Sequence, residues 1–187
     1  DNFANVDAVR QDCQNYFGMG FGSTSSDYWW RRNVQVGTSF RYHEPIKRDI
    51  GYQVSNGNSK SYLYSMDYAR LETSAGATSA QKSWWKMAGS FHNLDIAYVE
   101  DFILSNVYKF DPNNEDNYMT NTWSTIITQF AKKGNPSPTG VTWEPVKSAE
   151  RPCHLIVELT GRMSCSGFNE EDVCFWADQI GACALDY

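Results

Sequence analysis

Apolar residues in this chain follow helical spacing in some stretches and strand spacing in others. Val6, Val9, Cys13 and the Tyr16-Phe17 pair fall on one side of a helix predicted over Val6 to Phe17, with Asn5 or Asp7 as its cap and Gly18 and Gly20 at its end. Tyr28-Trp29-Trp30 begins an aromatic segment leading into a short helix. Glu44-Pro45 has the form of a cap followed by proline at the first helical position, and Ile46, Ile50 and Val54 continue that helix on one face. After the turn-forming Ser55-Asn56-Gly57-Asn58-Ser59, the run Ser61 to Tyr68 is the clearest strand, rich in aromatics and bounded by turn residues. Thr73 to Ser83 is small and polar and reads as a loop. Asp95 to Leu104 predicts a helix or a mixed turn. Asn113 to Asn117 leads into a long helix over Tyr118 to Lys133, with Trp123, Ile126, Ile127 and Phe130 on its buried face and Gly134-Asn135-Pro136 as its stop. His154 to Leu159 is a second strand. Asn169-Glu170-Glu171-Asp172 opens a last helix through Val173, Phe175, Trp176 and Ile180, with its three acids at the favourable end.

Strands and helices alternating in this way predict an α/β layered arrangement. Two or three strands are too few for a complete doubly wound sheet, so the chain reads as a portion of a fold. Its 187 residues suit one domain or a large piece of one, and aromatics at 15% supply bulk for a core. It begins Asp1-Asn2-Phe3, which suggests processing or a longer parent. No apolar stretch nears the ~18 residues of a membrane span. The net charge of -6, with no basic stripe beyond Arg31-Arg32 and Lys132-Lys133, disfavours nucleic acid as a partner.

Of the five cysteines, Cys153, Cys165, Cys174 and Cys183 crowd the C-terminal end, and only Cys13 lies elsewhere. No C-x-x-C spacing occurs, so a zinc site or a thioredoxin-type site is disfavoured; no metal ligands and no cofactor are expected. Cys153 and Cys165 flank a possible hairpin turning at Thr160-Gly161, where a cross-strand bridge is possible if the register suits. An odd total leaves at least one thiol free or paired with another chain. This usage favours an extracellular or secretory location, although the chain lacks an N-x-S/T sequon, since Pro136 follows Asn135.

The candidate chemistry lies at His92, in Gly89-Ser90-Phe91-His92-Asn93-Leu94-Asp95-Ile96-Ala97-Tyr98-Val99. A loop histidine between a strand and a helix is suited to moving protons. His43 and His154 carry no motif and read as surface or strand-end residues. Asp95 reads as a loop-organising or capping residue, and Trp84-Trp85 either line a pocket or pack under the loop.

Three stretches together resemble the C-terminal third of the type-B carboxylesterase and cholinesterase family of the α/β-hydrolase fold. Tyr62-Leu63-Tyr64-Ser65-Met66-Asp67-Tyr68 looks like the strand ahead of the family's histidine loop. Gly89-x-x-His92-x-x-Asp95-Ile96-x-Tyr98 is similar to its histidine motif, G-x-x-H-x-x-[DE]-[LI]-x-[YF]. Trp123 through Phe130-Ala131-Lys132-Lys133-Gly134-Asn135-Pro136, then Trp143-Glu144-Pro145, resembles its helix end and following turn, and Phe175-Trp176 looks like the Phe-Trp pair near its end. Residue Cys174 stands one position later than the cysteine of cholinesterases, and Val36 stands about where that cysteine's partner would be.

The resemblance implies that residues 1–187 form the C-terminal segment of one carboxylesterase-like domain: a partial sheet with packed helices, completed by an N-terminal segment. It makes His92 the base of a Ser-His-acid triad. Chain order in that fold places serine and acid ahead of the histidine, and no G-x-S-x-G occurs here. The expected partners are therefore an N-terminal segment of the same protein or a companion chain, an ester substrate, and further copies in an oligomer. The alternative is a non-catalytic esterase-like protein for adhesion, storage or assembly, and a third reading is an independent binding module.

Overall fold

Residues 6–18, 25–69, 77–100, 112–137, 140–166 and 168–179 are described by the computed structural model. They group into two units, one of Asp1–Ser59, Lys147–Pro152 and Ser166–Tyr187, the other of Lys60–Val146 and Cys153–Cys165.

The first unit is helical. Helix α1 spans Val6–Tyr16, and Gly18, at φ +65°, follows its end. Helix α2 spans Ser26–Thr38, so the aromatic segment lies inside a helix that begins before it; Ser25 caps it by accepting the Tyr28 N–H. Glu44-Pro45 does not start a helix afresh, contrary to the sequence expectation. Glu44 is itself helical, and a π-turn over Ser39–His43 joins α2 to α3, Glu44–Ser55, with the Glu44 N–H donating to the Ser39 carbonyl. Proline has no N–H for the carbonyl four residues back and its ring crowds that carbonyl; the wider π-turn just ahead of Pro45 lets the helix pass on. The buried residues of α3 are Glu44, Ile50 and Gly51, whereas Ile46, expected inside, is 40% exposed. Helix α7, Glu170–Gln179, packs on α3 and the π-turn. There the Trp176 indole N–H donates to the Ser39 hydroxyl at 2.8 Å, which donates in turn to the Gln35 carbonyl at 2.7 Å.

The second unit holds the sheet. Strands β1 (Tyr64–Met66), β2 (His154–Val157) and β3 (Arg162–Ser164) lie in the order β1-β2-β3. β1 pairs parallel to β2 with Ser65 opposite Ile156, and β2 pairs antiparallel to β3 with Leu155 opposite Met163. β1 is shorter than the run Ser61 to Tyr68 that predicted it. At its end the Asp67 and Tyr68 N–H groups both converge on the Val157 carbonyl, and ahead of it the Leu63 carbonyl also accepts from the Trp143 indole. The predicted hairpin is present, and Cys153 is bonded to Cys165 across it. Cys13 and Cys174 are in no disulfide, and Cys183 lies outside the described residues.

Helices cover the sheet. Helix α4, Ser79–Ala88, occupies much of what reads as a polar loop. Thr78 and Gln81 form a reciprocal capping box at its start, which satisfies N–H groups that the small residues cannot, and Trp85 buries its apolar side. Helix α5, Leu94–Val99, ends as Glu100 turns extended; residues 101–104 of the expected helix lie outside the described residues, as does Ile180. Helix α6, Asn114–Lys133, is capped by an Asn113–Asp116 box and stopped by Gly134 in the left-handed conformation. Its buried face runs through Asp116, Met119, Trp123 and Ile126. Ile127 and Phe130, predicted on that face, are 39% and 43% exposed. Spacings of three, four and three place the stripe nearer the N-terminus, where the buried hydroxyls of Tyr68 and Tyr98 both donate to Asp116 at 3.1 Å. Trp85, Leu94, Trp123, Trp143, Leu155 and Val157 belong to one closed cluster.

Candidate active site

The segment bearing His92 joins α4 to α5. Gly89, at φ +56°, ends α4, with its N–H on the Trp85 carbonyl at 2.9 Å. The Leu94 N–H then bonds the Phe91 carbonyl at 3.1 Å, closing a four-residue turn with His92 and Asn93 at its centre. Asn93 has φ +68°, a left-handed conformation that asparagine tolerates better than most residues. Leu94 is 1% exposed and anchors the turn in the core, while His92 and Asn93 face solvent. Phe91 sits edge-on to Trp84 at 5.2 Å.

Two polar contacts tie this segment to β1. The Ser90 hydroxyl donates to the Met66 carbonyl. The Tyr64 hydroxyl donates to Oδ2 of Asp95 at 2.6 Å. Burial, then the bond to Asp95 and its charge, hold the Tyr64 phenol well above its ordinary pKa, so it keeps its proton. Its ring lies edge-on to Trp123 at 4.8 Å.

His92 is thus an exposed imidazole on a turn whose flanks are held. Asp95 has the loop-organising place read from the sequence. The Trp84-Trp85 pair divides: Trp85 is 5% exposed and packs in the core, and Trp84 is 41% exposed. His154 begins β2, as a strand-end residue, and is buried. His43 lies in the other unit, half-buried, with Asn169 Nδ2 3.0 Å from its Nδ1 and Phe168 edge-on to its ring. Burial lowers its pKa, and the Asp172 charge opposes that shift. Among the described residues no group of three or more His, Cys, Asp or Glu side chains could hold a metal ion, and no helix is long and apolar enough to cross a membrane.

Sequence reasoning did not foresee the Tyr64–Asp95 bond or the Asp116 pair of tyrosines. Each joins residues distant in the chain, and the visible signal was an aromatic strand without its partners.

The model of the carboxylesterase family matches residues 5–176. The chain belongs to the carboxylesterase family. Among solved structures, this carboxylesterase-family chain is similar to a carboxylesterase of Geobacillus stearothermophilus, with a TM-score of 0.62 at 16% identity over 89% of this chain and 31% of that one. No curated protein matches it. The shared fold is the α/β-hydrolase fold, of which the three-stranded mixed sheet and its helices are a part. The chain spans about a third of the Geobacillus enzyme's length.

Proposed function

We propose that this chain carries the histidine of a serine carboxylic-ester hydrolase and that His92 is its general base and acid. The observation that supports this best is the outward placement of His92 on a turn whose next residue but one, Leu94, is sunk in the core. In this reading the imidazole takes the proton of a serine hydroxyl as its oxygen attacks the ester carbonyl. It then passes that proton to the leaving alcohol, and a water repeats the cycle on the acyl-enzyme. Serine, acid and oxyanion donors come from an N-terminal segment of the same protein or a companion chain. The chain alone is inert, because an imidazole without a positioned nucleophile adds little rate. The Cys153–Cys165 disulfide suits secretion into an oxidising compartment.

Hydrolysis of a chromogenic acyl ester by the assembled protein tests the reading. His92→Ala is expected to lower kcat on the order of 10⁴-fold or more. Equal turnover by wild type and variant removes His92 from the mechanism. An assembled wild-type protein that turns over no ester favours the non-catalytic alternative.

A further inference from the structure

We propose that strand β1 aims His92 through a two-point clamp, the Tyr64 hydroxyl on Asp95 and the Ser90 hydroxyl on the Met66 carbonyl, making Tyr64 and Ser90 positioning residues for the reaction. The proposal rests on the reading of His92 as the base.

Tyr64 and Met66 stand two apart at the ends of the three-residue strand β1. The groups they hold stand on opposite sides of the histidine: Ser90 two residues before it and Asp95 three after it. Between those two points Leu94 is sunk in the core and Phe91 packs against Trp84. Asn93 precedes α5 without a side-chain cap, and α5 is six residues long, too short to keep its own first turn. The turn closes on one backbone bond, from the Leu94 N–H to the Phe91 carbonyl. The strand is the rigid side of the arrangement. Its three residues pair with β2 through Leu155, Ile156 and Val157, all buried. The Tyr64 ring is fixed against Trp123 and Trp143, and the latter donates its indole N–H to the adjacent Leu63 carbonyl. The clamp therefore refers the histidine turn to the sheet, the least deformable element nearby, at two points that bracket the ring. A base must stay within hydrogen-bond reach of the proton it removes, and a misplacement of about 1 Å can cost on the order of 10²-fold in rate.

Five variants of the assembled protein, four single and one double, assayed beside His92→Ala, test the clamp. Tyr64→Phe removes one hydroxyl and keeps the ring packed. Ser90→Ala removes the other. Each is expected to lower kcat about tenfold, and the pair together about a hundredfold, with KM unchanged within about twofold because no substrate contact is lost. Asp95→Asn keeps an oxygen that accepts from Tyr64, so it is expected to keep most of the activity that Asp95→Ala loses. If Asp95→Asn is as damaging as Asp95→Ala, Asp95 acts through its charge and the clamp is wrong. If Tyr64→Phe and Ser90→Ala leave kcat unchanged while His92→Ala abolishes it, the clamp fails and the base reading stands. If His92→Ala stays active, the base reading fails first and the clamp's role in the reaction falls with it. Amide exchange at Leu94 and Ala97 then reads the mechanical part alone: faster exchange in Tyr64→Phe upholds the tie to β1, and unchanged exchange removes it.

Discussion

The two units are built around different elements, a sheet in one and helices in the other. In the sheet unit, Trp123, Tyr98 and Leu94 are at most 1% exposed and close around the strands, while Trp84, Met87, Ile96, Tyr118 and Phe130 keep 41 to 53% of their surface. In the helical unit, Phe17 and Trp176 are buried, but Trp30, Val34, Phe40, Tyr42, Ile46 and Tyr52 keep 36 to 48% of their surface. Polar contacts also join its helices: Gln35 and Tyr16 to Asp172, Lys47 to Glu170, and Asn169 to His43. Burial and the bond to Asp172 push Tyr16 up to about 12, so its hydroxyl stays a donor. The lesson is one of placement. His92 belongs to the unit whose close-packed interior resists deformation, and a catalytic side chain needs such support to hold its geometry.

The largest test of that contrast is Trp123→Ala. Removing a fully buried indole is expected to cost about 3–5 kcal/mol, read by urea unfolding, with exchange protection lost at β1 and β2. A loss below about 1 kcal/mol contradicts a tightly filled core. Next is the hairpin staple. Replacing Cys153 and Cys165 with serine opens a short closed loop and is expected to cost about 3 kcal/mol by chain entropy. Unfolding midpoints that do not respond to reductant in the wild type would argue that the bridge adds nothing. The smallest effect belongs to the helical unit and to pH. His43 has a folded pKa below its ordinary value of about 6.5. Below that pH the unfolded chain takes up a proton that the folded ring resists, so stability is full above about 6.5 and falls as pH drops toward the folded value. A protonated ring also loses the lone pair that faces Asn169. Exchange of the Val173 amide, at the start of α7, should quicken from pH 7 to pH 5 in the wild type and change less in His43→Gln. The same slope in both proteins would clear His43 of the effect.

Much of the site's frame was legible in the residues, and the misreadings have physical causes. The hairpin with its allowed Cys153–Cys165 bridge, the Gly134 stop and the exposed turn at His92 rest on local patterns and were read as they stand, whereas the element leading into that turn, expected to be a strand, is helix α4. Helix α4 was missed because Ser79 and Ala80 look like loop composition, although Thr78 and Gln81 spell a capping box three residues apart. Phe130 was assigned to the core from helical spacing alone. Spacing shows that a stripe exists, but neighbours decide where it faces, and Tyr68 and Tyr98 draw the stripe of α6 toward Asp116. The tie from Tyr64 to Asp95 spans 31 residues and had no local trace.

The π-turn before Pro45 acts as a built-in change of phase. One surplus residue in a helical run advances every later side chain by about 100° around the axis. The orientation that turns Ile50 and Gly51 inward is therefore set upstream, where Ser39 is pinned between the Trp176 indole and the Gln35 carbonyl. Trimming a single residue between Ser39 and His43 would rotate the whole of α3 like a misindexed gear, leaving its composition intact and its inward face pointed at water.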